Sequence, residues 1–339
     1  MIKPLVTLRD ISQETGYSMI TVSRAIRDKG YVSLKARKKI LKASSDLGYS
    51  PNRAARLLRS SQSHEIAVIV ESHDYLHVEK LAGIKQGTAD LGYNLSIHFS
   101  DPDFPQSCLS YLSHEVLNQA PSGVVLIGNY EESEVQHLFK GYTNLIWVNT
   151  DPVLFCDCVY IDRQQGLKDG VSYLHQHGCH RIAHTPINND FANKRLLGYR
   201  EAIKEFNLPE ILYYIPDISR YSLHAIYDFG IQLVGKLMEK DKADRPDGIL
   251  TSDYEALGIL TGCRRYGIKV PEELSVIGFD NREIAEYADP GLTSLAQPSR
   301  EVGQVVAELL LQRLQDSSLE LAPRNRKIPM KIMVRQSTK

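Results

Sequence analysis

Two sets of residues in this 339-residue chain have types and spacing suited to chemistry. The first is a series of polar side chains at or just after short apolar runs. Asp74 and Tyr75 follow "EIAVIVE", Asn149 and Asp151 follow "LIWV", Ser252 and Asp253 follow "DGILT", and Asp280 and Asn281 follow "LSVIGF". Carboxylates and amides can bridge vicinal hydroxyls, and an aromatic ring can cover the apolar face of a sugar, so this set suits a hydroxyl-rich ligand. Each residue alone also reads as a turn or a helix N-cap, where Asp, Asn and Ser are favoured. Their recurrence at successive run ends carries the argument. The second set lies in "TGYSMITVSRAIRDKG", residues 15–30. A helical projection at roughly 100° per residue puts Val22, Ala25 and Ile26 on one face. Ile20, Ser23, Arg24 and Arg27 fall opposite, with Met19 on the edge, and Ser18 stands where an N-cap belongs. An outward isoleucine beside outward arginines suits base edges and phosphates better than water.

Other constellations point to no catalytic residue, metal or cofactor. "HQHGCHRIAH" gathers His175, His177, Cys179, His180 and His184, but His175 and His177 lie about 200° apart on a helix and cannot face one metal. Gly178 reads as a helix stop, and "RIAH" begins a strand. "CDC" at 156–158 reads as a half-buried turn. Walker A and G-x-G-x-x-G patterns are absent, and no Ser/His/Asp or Cys/His arrangement has a local signature. The chain is therefore expected not to be an enzyme.

The elements that must hold these residues differ along the chain. Residues 1–63 contain 13 Lys+Arg against 4 Asp+Glu, whereas the other 276 contain 27 against 37, so a net charge of −1 hides a basic segment on an acidic body. The basic segment points to a polyanionic partner. Three short helices are expected in it. Thr7 opens the first, with Asp10 as its capping-box partner. Ser18 opens the second after a short turn at Gly16, giving a helix-turn-helix. The third runs from Ser33 to about Leu47, with Ile40, Leu41 and Leu47 inward and Gly48 as its C′ residue. In such a unit the second helix enters the major groove. Arg24 can then grip a guanine edge, Met19 and Ile20 can pack on thymine methyls, and the hydroxyls of Thr7, Thr21, Ser23 and Ser33 can reach phosphates.

"YSPNRAARLLRSSQS" follows, with Arg53, Arg56 and Arg59 spaced by three among Ala54, Ala55, Leu57 and Leu58. A helix this short needs something to pack on, and a minor-groove role with an apolar wedge is expected. From residue 65 the chain alternates strand-like runs with helical ones, the mark of βαβ units and parallel sheets. The units are too many for one sheet, so two similar lobes are expected. Hydrophobic residues at 42% supply their cores. Five cysteines suggest no disulfide framework. No apolar run approaches membrane-spanning length, and "MIKPLVTLRDIS" lacks a signal-peptide h-region, so a cytoplasmic location is expected.

"VTLRDISQETGYSMITVSRAI", "VSLKARKKILKASSDLGYSPNRAARLLRS", "RLLGYREA", "DGILTSDYEALG", "VPEELSVIGFDN" and "LTSLAQPSREVG" together resemble the lac-repressor/galactose-repressor (LacI/GalR) family across essentially the whole chain. The resemblance implies a helix-turn-helix head over residues 1–50 and a hinge over 51–63. It implies a body over 64–339 of two doubly wound parallel-sheet lobes, periplasmic-binding-protein-like, type I. The N-lobe would take about 64–162 plus 295–325, and the C-lobe about 163–294 plus 326–339. Met19 and Ile20 fall on the pair that sets operator preference, Arg24 on a base-contacting position and Leu58 on the hinge wedge, with Asn52, Arg53 and Ala55 beside it. Effector positions would be Tyr75, Asn149, Arg195, Ser252, Asp280 and Gln297, joined by Asp74 and Asp253 from the run ends. The implied function is a homodimeric repressor on palindromic operator DNA, controlled allosterically by a small sugar-like effector. A catabolite-control regulator using a phosphoprotein corepressor is the related alternative, since "SMITVSR" and "RQSTK" resemble that branch. A solute-binding protein is the alternative from another class, disfavoured by the basic head. The "VESHDYLH" loop departs from the family's consecutive aromatics, and no leucine heptad follows the last strand, so a tail-made tetramer is not expected.

Overall fold

Capping sets the first helix. The Thr7 side chain accepts from the Asp10 N–H at 3.4 Å, and the Asp10 carboxylate accepts from the Thr7 N–H at 2.7 Å. This reciprocal pair opens α1 (Leu8–Thr15), and Gly16, with φ 74°, closes it in the left-handed region. Ser18 opens α2 (Met19–Arg27), its Oγ accepting from the Thr21 N–H at 3.2 Å. Ser33 caps α3 (Leu34–Asp46), and Lys39 Nζ of that helix donates to the Thr15 carbonyl at 3.0 Å, satisfying the end of α1. Ile11, Val22, Ala25 and Ile40 form the buried centre of the three helices.

The structure is a computed structural model describing residues 6–27, 30–47, 63–72, 74–101, 103–186, 190–215, 222–315 and 322–339. It divides into two units, Met1–Ser63 and His64–Lys339. Gly48 and the hinge residues Asn52, Arg53, Ala55 and Leu58 lie outside the described residues. In α3 the expected inward set needs correction. Ile40 is fully buried, but Leu41 and Leu47 are 46% and 38% exposed. Ala36 and Ala43 share the face of Ile40 at helical spacing and pack there instead, while Leu41 is turned about 100° away.

The larger unit is two parallel sheets built alike. The first takes β1 (Ser63–Val70), β2 (Asn94–Phe99), β3 (Pro121–Ile127), β4 (Leu145–Asn149), β5 (Asp157–Ile161) and, late in the chain, β11 (Asn325–Ile328), in the order β11-β5-β4-β3-β1-β2. The second takes β6 (Ile182–His184), β7 (Ile211–Leu212), β8 (Gly248–Leu250), β9 (Ser275–Asp280), β10 (Thr293–Ala296) and β12 (Lys331–Met333), in the order β12-β10-β9-β8-β6-β7. Only β12, among the pairings described, runs antiparallel to its neighbour. Strands this apolar read as continuous runs because helices cover both faces. On the first sheet these include α4 (Tyr75–Thr88) and α12 (Ser299–Gln315), which pack on each other, and α5 (Leu109–Asn118) and α6 (Glu132–Leu138). On the second they are α7 (Arg163–Gln176), α8 (Asp190–Glu205), α9 (Leu223–Met238), α10 (Asp253–Tyr266) and α11 (Glu283–Tyr287).

The chain crosses between lobes after β5, after β10 and after β11. Since β10 belongs to the second sheet and β11 to the first, the last two crossings fall near 297 and 329, a few residues beyond the expected 295 and 326. "CDC" is corrected too. Asp157 and Cys158 belong to β5 and are fully buried, not part of a turn. The Asp157 carboxylate is gripped by Arg313 of α12 (2.6 and 2.7 Å) and by Arg324 just before β11 (2.6 Å), which fastens the returning chain to the first lobe. Among the described residues no helix is long and apolar enough to cross a membrane.

Candidate functional site

In the head, the face of α2 opposite its buried Val22 and Ala25 is open. Met19 is 55% and Ile20 67% exposed, and Arg24 is exposed. Two aliphatic side chains displayed beside an arginine fit contact with base edges. Ser18 and Thr21 are joined through their hydroxyls at 2.9 Å at the start of this helix, and Ser23 is partly exposed. Thr7 is engaged in the cap of α1, so its hydroxyl serves structure first.

In the body, open α/β sheets bind ligands beyond the carboxyl ends of their strands, where the strand order reverses. Here the reversals lie between β1 and β3 and between β6 and β8. The ends of β6, β8 and β9 enclose a cavity of about 50 Å³ bordered by His184, Thr185, Arg195, Ser252, Glu255 and Phe279, among others. Several buried polar atoms there have no hydrogen-bond partner: His184 Nε2, Arg195 Nε, Ser252 Oγ and Glu255 Oε1. Ser252 precedes α10 without capping it through its side chain. The Arg195 guanidinium lies 3.7 Å over the Phe279 ring. Thr185 Oγ1 donates toward Glu255 Oε2 at 2.9 Å, and burial pushes the Glu255 carboxyl up to about 8. Burial also holds His184 down near 4, so its imidazole is neutral at pH 7, with Nδ1 facing the Leu250 carbonyl at 2.9 Å.

Around this cavity the other expected residues form a network. Asp280 has φ 101° and Asn281 φ 50°, backbone that side chains other than glycine seldom adopt. The turn is held by the Asn281 N–H donating to Ser294 Oγ (3.0 Å) and the Arg282 N–H donating to Asp253 (2.6 Å). Such strain at a strand end marks a position the surroundings over-determine. Asp280 accepts from Gln297, and Arg282 Nε lies 3.7 Å away. Arg282 also reaches Asp74 across the lobes at 2.7 Å. Asp74 caps α4 by accepting from the Leu76 N–H at 2.8 Å, so the structural and bridging roles coincide. Burial opposes the Asp74 charge, but Arg282 outweighs it and keeps the carboxyl below its usual range. A second cross-lobe pair joins Lys194 and Asp151 at 2.9 Å.

Asp253 is a positioning group. Its carboxylate accepts from Ser294 Oγ at 2.6 Å and from the Arg282 backbone, and burial together with nearby Asp280 pushes it up to about 7. A Cβ on Gly278 would come 2.1 Å from Asp253 Oδ1, so only glycine leaves room for this carboxylate. Tyr75 is 49% exposed at the start of α4, and Asn149 ends β4 near the Lys194–Asp151 pair. Thr185, Glu255 and Arg282 do not stand out in the sequence, and His184 stands out there only as a member of the histidine cluster. Arg282 stood two residues beyond Asp280 and was open to the same strand-end logic. Among the described residues, no group of three His, Cys, Asp or Glu side chains is placed to hold a metal.

Residues 7–52 match the lacI family of bacterial regulatory proteins, and residues 171–338 match the periplasmic binding protein-like domain. The chain is 32% identical to catabolite control protein A of Priestia megaterium, across 98% of this chain and 99% of that one. It is 29% identical to the transcriptional repressor CytR of Escherichia coli (strain K12), across 98% and 96%. Its fold is similar to that of the lac repressor dimer bound to operator and the anti-inducer ONPF, with a TM-score of 0.81 at 24% identity over 99% of both chains. It is also similar to that of the regulator CelR in complex with cellobiose, with a TM-score of 0.67 at 24% identity over 98% and 99%. With a capped helix-turn-helix before two like-built lobes, the chain belongs to the lacI family of bacterial regulatory proteins and is a DNA-binding transcriptional regulator.

Proposed function

We propose that this protein represses carbohydrate-utilisation genes by binding palindromic operator DNA as a homodimer, under the control of a small hydroxyl-rich effector held between its lobes. The observation that carries this reading is the set of buried, unpartnered polar atoms at His184, Arg195, Ser252 and Glu255, beside the cross-lobe Arg282–Asp74 pair. Buried polar groups are costly when unmatched, and a ligand with several hydroxyls supplies the missing partners. Asp74, Tyr75, Asn149, Arg195, Ser252, Asp253, Asp280 and Gln297 form or frame this site. On DNA, Ser18, Met19, Ile20, Thr21, Ser23 and Arg24 of the second helix meet the major groove, with Thr7 near a phosphate. Asn52, Arg53, Ala55 and Leu58 of the hinge over 51–63 meet the minor groove, with Leu58 as the apolar wedge. The protein acts in the cytoplasm, where its DNA is, by binding and not by turnover.

Related regulators are known with cellobiose and with ribose bound, which supports a sugar-like ligand here. The ligand must bind the two arrangements of the lobes unequally, or it shifts nothing. The 32% identity to catabolite control protein A favours a second reading, in which a phosphoprotein corepressor takes the effector's part. A thermal-shift panel of sugars, sugar phosphates and nucleosides on the purified chain separates the two, because a ligand specific to the native state raises its midpoint. A small molecule that raises it supports the first reading; a flat panel overturns it in favour of a protein partner.

A further inference from the structure

The body cleft contains more positive charge than its own carboxylates match. Arg282 is matched by Asp74 at 2.7 Å and lies near Asp280, and Lys194 is matched by Asp151. Lys80, Arg163 and Arg195 have no carboxylate within ion-pair distance among the described residues. Lys80 is 4% exposed and donates to the Leu76 carbonyl at a long 3.4 Å. Arg163 has both Nε and Nη1 buried and unpartnered, and Arg195 has its Nε in the same condition. Leaving a buried guanidinium unmatched costs more than leaving a neutral donor unmatched.

The fold brings these cations together by design of its backbone. Arg163 is the first residue of α7, directly after β5 delivers the chain from the first lobe to the second. A Cβ on Gly198 would lie 2.0 Å from the Gln164 carbonyl oxygen, so α8 crosses the start of α7 at glycine distance. Arg195, one turn before Gly198 on α8, thereby comes beside Arg163. Lys80 approaches from the first lobe, on α4. Burial first, then Arg163, pulls Lys80 down to about 8, and burial first, then Arg195, pulls Arg163 down to about 10, with Asp280 opposing both shifts. The nearby carboxyls of Asp253 and Glu255 are meanwhile held toward their neutral forms by burial.

Resting on the interlobe reading above, we propose that the effector is anionic, a sugar bearing a phosphate or carboxylate group, and that Arg163 receives that group with Arg195 and Lys80 beside it. Guanidinium forks grip either oxyanion through paired hydrogen bonds. The start of α7 adds its helix dipole in the same sense. The hydroxyl-bearing part of the ligand then faces Ser252 and Glu255. An anion at this place would touch the first lobe through Lys80 and the second through Arg163 and Arg195, which gives it purchase on both.

The test is ligand titration of the full chain by thermal shift and calorimetry. The probes are matched sets of glucose, glucose 6-phosphate and glucuronate, the corresponding galactose set, and inorganic phosphate and acetate at ionic strength held constant with chloride. Arg163→Gln, Arg163→Lys and Arg195→Ala are compared with the parent chain, after circular dichroism shows that each variant folds. The proposal predicts that anionic probes raise the midpoint and neutral sugars do so far less. It predicts that Arg163→Gln weakens the anionic probes by about tenfold or more, and that Arg163→Lys, which keeps the charge but loses the fork, weakens them to a smaller degree. Phosphate-bearing and carboxylate-bearing arms show which anion is preferred. If neutral sugars bind as well as their anionic partners, or if Arg163→Gln leaves anionic binding unchanged, the proposal is overturned. The interlobe site still stands in either case, provided Arg195→Ala abolishes the sugar response. If no anion shifts the midpoint, the proposal is likewise overturned.

Discussion

The base-reading role proposed for Arg24 depends on its exposure. On α2 it stands exposed beside Met19 and Ile20, while Val22 and Ala25 fix the helix from behind. Arg24→Ala should therefore cost about 1–3 kcal/mol of discrimination between operator and mismatched DNA, with the body's thermal midpoint unchanged. Unaltered specificity in a competition assay would remove it from base reading. Glu255 and Asp253 make the opposite case, through burial. Their carboxyls are raised from 4.5 to about 8 and from 3.8 to about 7, so each takes up a proton on folding. The stability they contribute is present in acid and is lost as pH rises through those windows. His184, lowered from 6.5 to about 4, works the other way and costs stability as pH falls below 6.5. Glu255→Gln keeps the shape and removes one of these titrations. Its midpoint relative to the parent should be higher at pH 8 than at pH 5; parallel pH curves for the two proteins would contradict the assignment.

At the scale of elements, what could be read early was what depends on neighbours in sequence. The cap of α1 at Thr7 and Asp10, the stop at Gly16, the opening of α2 at Ser18 and most of the strand-helix alternation each rest on local pattern, and the structure contains them. What escaped depends on distant partners. Asp157 made "CDC" look like a turn, because a lone carboxylate in a buried strand makes sense only with its arginines, and these lie 156 and 167 positions further along. Missing β5 also hid Arg163, which opens the helix after it. The apolar character of Leu41 points inward, whereas Ile40 with Ala36 and Ala43 sets the buried face of α3. Removing one member of a buried ion group strands the others. Asp157→Ala should accordingly destabilise the body by roughly 3–5 kcal/mol in urea unfolding, leaving the head's charge untouched. A loss below about 1 kcal/mol would show that the arginines find other partners or water.

For the whole molecule, the lobes matter because the chain threads between them three times and two ion pairs tie them across the cleft. A ligand that joins Lys80 and Asp74 on one side with Arg163, Arg195 and Ser252 on the other can change the balance between arrangements of the lobes. The basic head makes binding to any DNA strongly salt-dependent through phosphate contacts, so a ligand effect must be read on specific binding at fixed salt. The measurement that tests this account most directly is operator affinity by fluorescence anisotropy, with a duplex selected from random sequence and with and without the sugar that raises the thermal midpoint. The account predicts a change of about tenfold or more in specific affinity for the parent chain, within the usual range of allosteric coupling, and none for Arg195→Ala. The same operator affinity with and without bound ligand in the parent chain would contradict it.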